Sequence, residues 1–174
     1  MIREYAPIVL IPAAWALTFA TTVEPEISTY WIEHMHYFML LFLTGFTLFS
    51  WKEMAEDKVL DIWRKVIAAG ILFTALGALS FALTEHQFIL ALISISYWFL
   101  APGIALYKSA THMNSYADLY RKLFYTSTIA YALFILSLLF NPEVTSYNIL
   151  AIVSYILIGT AQTASMVVAS KMDN

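Results

Sequence analysis

The sequence contains no cysteine. That excludes disulfides, thiol nucleophiles, thiolate metal sites and haem joined through thioether bonds, leaving a non-covalently held haem chemically open. Charge is also scarce, at 12% of residues with a formal net charge of -3. Nine dispersed Lys and Arg residues make no nucleic-acid surface. There is no Walker loop, dinucleotide fingerprint, serine elbow or zincin motif. No Lys, Arg, Asp, Glu or His lies near the middle of any long apolar stretch. A proton-driven carrier commonly needs an ionisable relay there, and a voltage sensor needs repeated basic residues.

What the chain has instead is apolar length. Apolar residues make up 61% of the sequence and the mean hydropathy is +0.73. A core built from 174 residues could not hide that much apolar surface from water; lipid around the outside removes the difficulty. Six stretches approach the roughly 20 residues needed to cross a hydrocarbon core: 6–23, 34–51, 63–83, 87–107, 123–140 and 146–169. Backbone groups in lipid must be satisfied within the segment, which favours helices. Ile67 to Leu83 and Phe88 to Leu106 are continuous apolar runs rather than the alternating strands of a barrel. The expected architecture is an all-α polytopic integral membrane helical bundle of six transmembrane helices, with residues 1–174 as a single transmembrane domain. The run from Ala6 to Val23 is long for a signal-peptide core, and no small-x-small site precedes Glu24, so it is read as a retained helix.

Charge then orients the bundle. Arg3 precedes the first stretch, Lys52, Lys58, Arg64 and Lys65 lie between the second and third, Lys108, Arg121 and Lys122 between the fourth and fifth, and Lys171 follows the sixth. The alternate connections hold no Lys or Arg, only Glu24, Glu26, Glu33, Glu85 and Glu143. The positive-inside rule places both termini in the cytoplasm of a multi-pass cell-membrane protein. Trp31, Trp51, Trp63, Tyr107 and Tyr125 fall near span ends, the depth amphipathic rings prefer. Segments 52–62 and 108–122 read as solvated connections, the first able to form a short surface helix.

The ends of the first and third spans resemble one another, Ala16-Leu17-Thr18-Phe19-Ala20 beside Ala78-Leu79-Ser80-Phe81-Ala82, and their partners open with Glu33-His34 and Glu85-His86. Pro142-Glu143 echoes Pro25-Glu26. This pattern suggests three helical hairpins, the third diverged. Gly70, Thr74, Gly77 and Ala78, and likewise Gly159, Ala161, Thr163, Ser165 and Ala169, form rows of small residues that permit close helix contact. Pro102-Gly103 invites a kink.

Chemistry concentrates in Glu33, His34, His36, Glu85 and His86, all at outer span starts. Glu33 and His36 have the i, i+3 spacing of carboxylate-bridged metal bundles. A divalent metal could take Glu33, His36 and one of Glu85 or His86, leaving a water that the metal polarises, or a b-type haem could take His34 and His86 from facing helices. Histidines there would also suit a proton-responsive entrance. The structural alternative is that acidic residues favour helix starts and histidines tolerate the interface. Thr44, Thr47, Thr74, Ser94, Ser96, Tyr97, Tyr155, Thr160 and Gln162 are the polar interior candidates, for a neutral-solute path or for interhelical hydrogen bonds. The leading functional expectation is a membrane-complex subunit or a metal- or haem-binding redox protein. A channel or facilitator for a small neutral solute, and a metal-dependent intramembrane hydrolase, are the alternatives. The expected partners are membrane lipids, other copies of the chain or other membrane subunits.

Overall fold

The computed structural model describes residues 2–23, 29–140 and 148–172. They form seven α-helices: α1 (Ile2–Val23), α2 (Thr29–Ser50), α3 (Glu53–Glu56), α4 (Lys58–Ala82), α5 (Gln87–Ala110), α6 (Ala117–Phe140) and α7 (Ile149–Met172). Five of them are long and apolar enough to cross a membrane, namely α2, α4, α5, α6 and α7; α1 contributes a shorter apolar stretch, Ile11–Ala20. The chain is thus an all-α, multi-span membrane protein. Glu24, Glu26, Pro142 and Glu143 of the expected outer connections lie outside the described residues.

Several helices start earlier than hydropathy alone suggests. Hydropathy marks where lipid begins, whereas a helix begins where its first amides find acceptors. Asp57 supplies them for α4, its carboxylate accepting from the Val59 and Leu60 amides at 2.8 and 2.9 Å. The helix therefore starts at Lys58, five residues ahead of the expected 63. α6 starts at Ala117 rather than 123, its first turn anchored by the Tyr120 amide donating to the Tyr116 carbonyl at 3.0 Å. The 52–62 connection holds α3, which buries Met54. Thr84–His86 forms a single 3₁₀ turn that reverses the chain between α4 and α5.

The helices pack in the spatial order α2, α4, α5, α6, α7, α1. α1 lies mainly against α7 and α2 mainly against α4, so these two consecutive helices touch each other over little of their length. One core joins Trp15 of α1, Phe99 of α5, Ala130 and Phe134 of α6, and Ala151, Tyr155 and Ile158 of α7. Trp15 meets the Phe99 ring edge-on at 5.3 Å, and Phe99 stacks on Phe134 at 5.1 Å. A second core gathers Leu106 and Ala110 of α5, Tyr120 and Leu123 of α6 and Ala161 of α7, with Trp63 of α4 against it. That core ties the start of α4, the end of α5 and the start of α6 to one end of the bundle. Lys58, Arg64, Lys65, Lys108, Arg121 and Lys122 consequently share that end.

In lipid there is little hydrophobic drive for one helix to seek another, so close packing and hydrogen bonds carry the association. The α4–α5 seam shows how. Gly70, Thr74, Gly77 and Ala78 are all buried. A Cβ on Gly70 would stand 2.7 Å from the Trp98 ring. Only glycine admits the indole at that distance. Tyr97 stacks on Phe73 at 4.0 Å and donates its hydroxyl to the Val66 carbonyl at 2.6 Å.

Candidate functional site

The outer Glu/His residues separate once α2 is formed. Their spacing puts His34 and His36 on different faces. His34 is exposed; its Nδ1–H donates to the Tyr30 carbonyl at 2.8 Å and its ring lies 3.8 Å from the Tyr30 ring. Glu33 accepts the Tyr37 hydroxyl at 2.6 Å, one turn along the same helix. His36 turns toward the bundle. Its Nδ1–H donates to the Ile32 carbonyl at 2.8 Å, which leaves Nε2 as the acceptor. The ring packs edge-on against Phe81 of α4, 5.5 Å away. Its Nε2 and the Ser94 hydroxyl of α5 both lie within 2.7 Å of the point a Cβ on Gly77 would occupy. Glu85 and His86 are exposed in the 3₁₀ turn. Among the described residues, no three His, Asp or Glu side chains come together in a group that could hold a metal ion.

The bundle's most connected polar group lies deeper, where the sequence offers only Trp, Thr and Gln. Pro102 interrupts α5 and has no N–H to give the Trp98 carbonyl four residues earlier. Gln162 of α7 fills the gap, its Nε2 donating to that carbonyl at 2.8 Å. The same amide accepts from the Trp15 indole N–H of α1 through Oε1, also at 2.8 Å. The Trp98 indole N–H then donates to Thr74 Oγ1 of α4 at 3.1 Å. One chain of hydrogen bonds thus links α1, α7, α5 and α4 around the kink-prone proline. Gln162 itself is 3% exposed, and both its amide oxygen and its amide nitrogen are engaged.

The buried hydroxyls of Ser80, Ser127, Ser137, Ser154 and Ser165 donate within their own helices, each to a carbonyl three or four residues back, whereas two tyrosines reach across. Tyr131 donates to Ser96 at 3.2 Å, and Tyr120 donates to the Ser165 carbonyl at 3.2 Å. These two tyrosines bind helices to one another. Thr44 and Thr160 are exposed, outside the bundle. Trp15 was invisible as a polar partner from sequence, because an indole in an apolar run reads as packing. The available signal was Pro102, whose orphaned carbonyl in lipid demands a donor from elsewhere.

The other unusual surface belongs to α2. Only 6% of its apolar window is buried, against 28–39% for α4, α5, α6 and α7. Tyr30, His34, Tyr37, Leu41, Thr44 and Leu48 form one exposed stripe at helical spacing. In the last third of α2, nothing comes within 4 Å of where a Gly45 Cβ would sit. The chain matches no family model, no curated protein and no solved structure.

Proposed function

We propose that this protein is a small subunit of a membrane complex that assembles with a second copy of itself through the open stripe of α2. The observation that carries this reading is the Gly45 notch. Glycine within a lipid-facing helix leaves a hole in the side-chain layer. It is flanked by the large exposed side chains of Leu41, Leu48 and Phe49. A hole between knobs on one helix is self-complementary across a twofold axis, where each copy presents both. The Thr44 hydroxyl beside the notch is also exposed, and small or hydroxylated residues are what helix interfaces in lipid select.

In this reading α1 is the sixth crossing, both termini lie on the side of the basic residues, and that side is cytoplasmic. The bundle acts as a packed scaffold. Its centre is filled by Trp15, Phe99, Phe134 and Tyr155, and Gln162 has both ends of its amide occupied. The absence of native cysteine permits a direct test. Thr44→Cys, placed alone and oxidised in native membranes, is expected to give a covalent dimer. Leu72→Cys, equally lipid-facing on α4, is expected to remain monomeric. A monomer for Thr44→Cys, or equal cross-linking at both positions, would overturn the reading.

A further inference from the structure

We propose that the face of α5 between α4 and α6 is a binding site for an anionic phospholipid, whose acyl chain lies along the helix and whose phosphate meets Lys108. It stands independently of the α2 interface. One face of α5, together with Phe73 of α4, lines an open groove of about 580 Å³. Ile93, Tyr97, Leu100, Ala101 and Ile104 run along its floor, and Phe73 of α4 forms a wall. The lining is almost wholly apolar. Its shape is held in advance. Tyr97 is fixed by the stack on Phe73 and by its hydroxyl on the Val66 carbonyl.

The floor residues follow one helical stripe, and four residues beyond Ile104 that stripe reaches Lys108. Lys108 is exposed, and no carboxylate pairs with it among the described residues. Tyr107 beside it is exposed too, its ring 5.1 Å from Phe124 of α6. From Leu92, at the far end of the groove, to Lys108 is roughly 24 Å at 1.5 Å per residue. One leaflet with its headgroups is roughly 20 Å deep. The ligand chemistry follows from both ends. An aliphatic chain suits the groove, and a phosphate suits an ammonium with an adjacent phenol at headgroup depth.

The test uses the full chain in nanodiscs of phosphatidylcholine mixed with phosphatidylglycerol, released into native mass spectrometry. Retained phosphatidylglycerol on the wild-type protein is the expected result. Lys108→Ala is expected to lower that retention about fivefold, the weight of one lysine at an anionic surface. Ala101→Phe keeps the charge and fills the groove, so it is expected to lower retention of either lipid. Lys52→Ala removes a basic residue off the groove and is expected to change nothing. Equal retention in wild type and Lys108→Ala, or an equal loss in Lys52→Ala, would overturn the proposal. Because Lys108 is exposed, its variant reports even if Ala101→Phe does not fold.

Discussion

Gln162 of α7 donates at 2.8 Å to the Trp98 carbonyl of α5, which Pro102 leaves without its helical donor. A defect in one helix has thereby become a joint between two. Because Gln162 also accepts from Trp15, removing its amide leaves an acceptor and a donor unpaired at once. Gln162→Leu is expected to cost about 1–2 kcal/mol: an unpaired buried group costs roughly 1–3 kcal/mol, whereas bonds within bilayers average nearer ~0.6 kcal/mol. Pro102→Ala restores a donor to the Trp98 carbonyl, so Gln162→Leu should cost less in that background. A double-mutant cycle of unfolding in mixed micelles measures the coupling, expected at about 0.5–1 kcal/mol. Strict additivity would show that the two residues act separately.

The glycines divide into two groups by their surroundings. Gly70→Ala and Gly77→Ala drive a methyl into Trp98, or into His36 and Ser94, at 2.6–2.8 Å. Each is expected to destabilise by about 1–3 kcal/mol through overpacking. Gly45→Ala meets nothing within 4 Å and should be neutral or gain up to about 1 kcal/mol of helix propensity in the isolated chain. The same Gly45 change fills the proposed notch, so dimer yield should fall while the unfolding midpoint of the monomer holds or rises. Unfolding and cross-linking on the same variants separate the two effects.

Asp57 holds the first turn of α4 by two amide bonds. Asp57→Ala is expected to lower stability by about 1 kcal/mol and Asp57→Asn by much less, since asparagine caps equally well. Hydrogen exchange at Val59 and Leu60 should accelerate in the alanine variant. Unchanged exchange there would mean that packing of α3, not the cap, fixes where α4 begins.

Tyr116, with φ of 62°, is the one non-glycine residue in the left-handed region among those described. That conformation costs a non-glycine residue roughly 1–2 kcal/mol. Glycine relieves it but returns about 0.5–1 kcal/mol as extra freedom in the unfolded chain. Tyr116→Gly is therefore expected to stabilise by up to about 1 kcal/mol. A loss in thermal unfolding would show that the exposed Tyr116 ring holds the turn by contacts that outweigh its strain.

The sequence was most informative where one property repeats along the chain. Five of the six expected spans correspond to long apolar helices, and the small-residue row on α4 is the buried row. It was least informative about ends and about faces. Hydropathy cannot locate a cap such as Asp57, because the cap lies in the polar segment that hydropathy discards. The Glu33/His36 spacing was legible as a shared face, yet Glu33 is taken by Tyr37 and His36 by the α4–α5 seam. Proximity along one helix does not choose which neighbour each side chain meets.

Composition and charge by themselves determined that this chain is a helical membrane bundle with its basic connections at one end, since lipid forces each span to satisfy its own backbone. Tertiary structure alone decided that Gln162 would answer Pro102, that α1 would lie on α7 rather than on α2, and that α2 would remain open. The reason is physical. Between apolar helices in lipid the burial energy scarcely depends on which pair forms, so a few close contacts and hydrogen bonds between residues far apart in the chain select the arrangement.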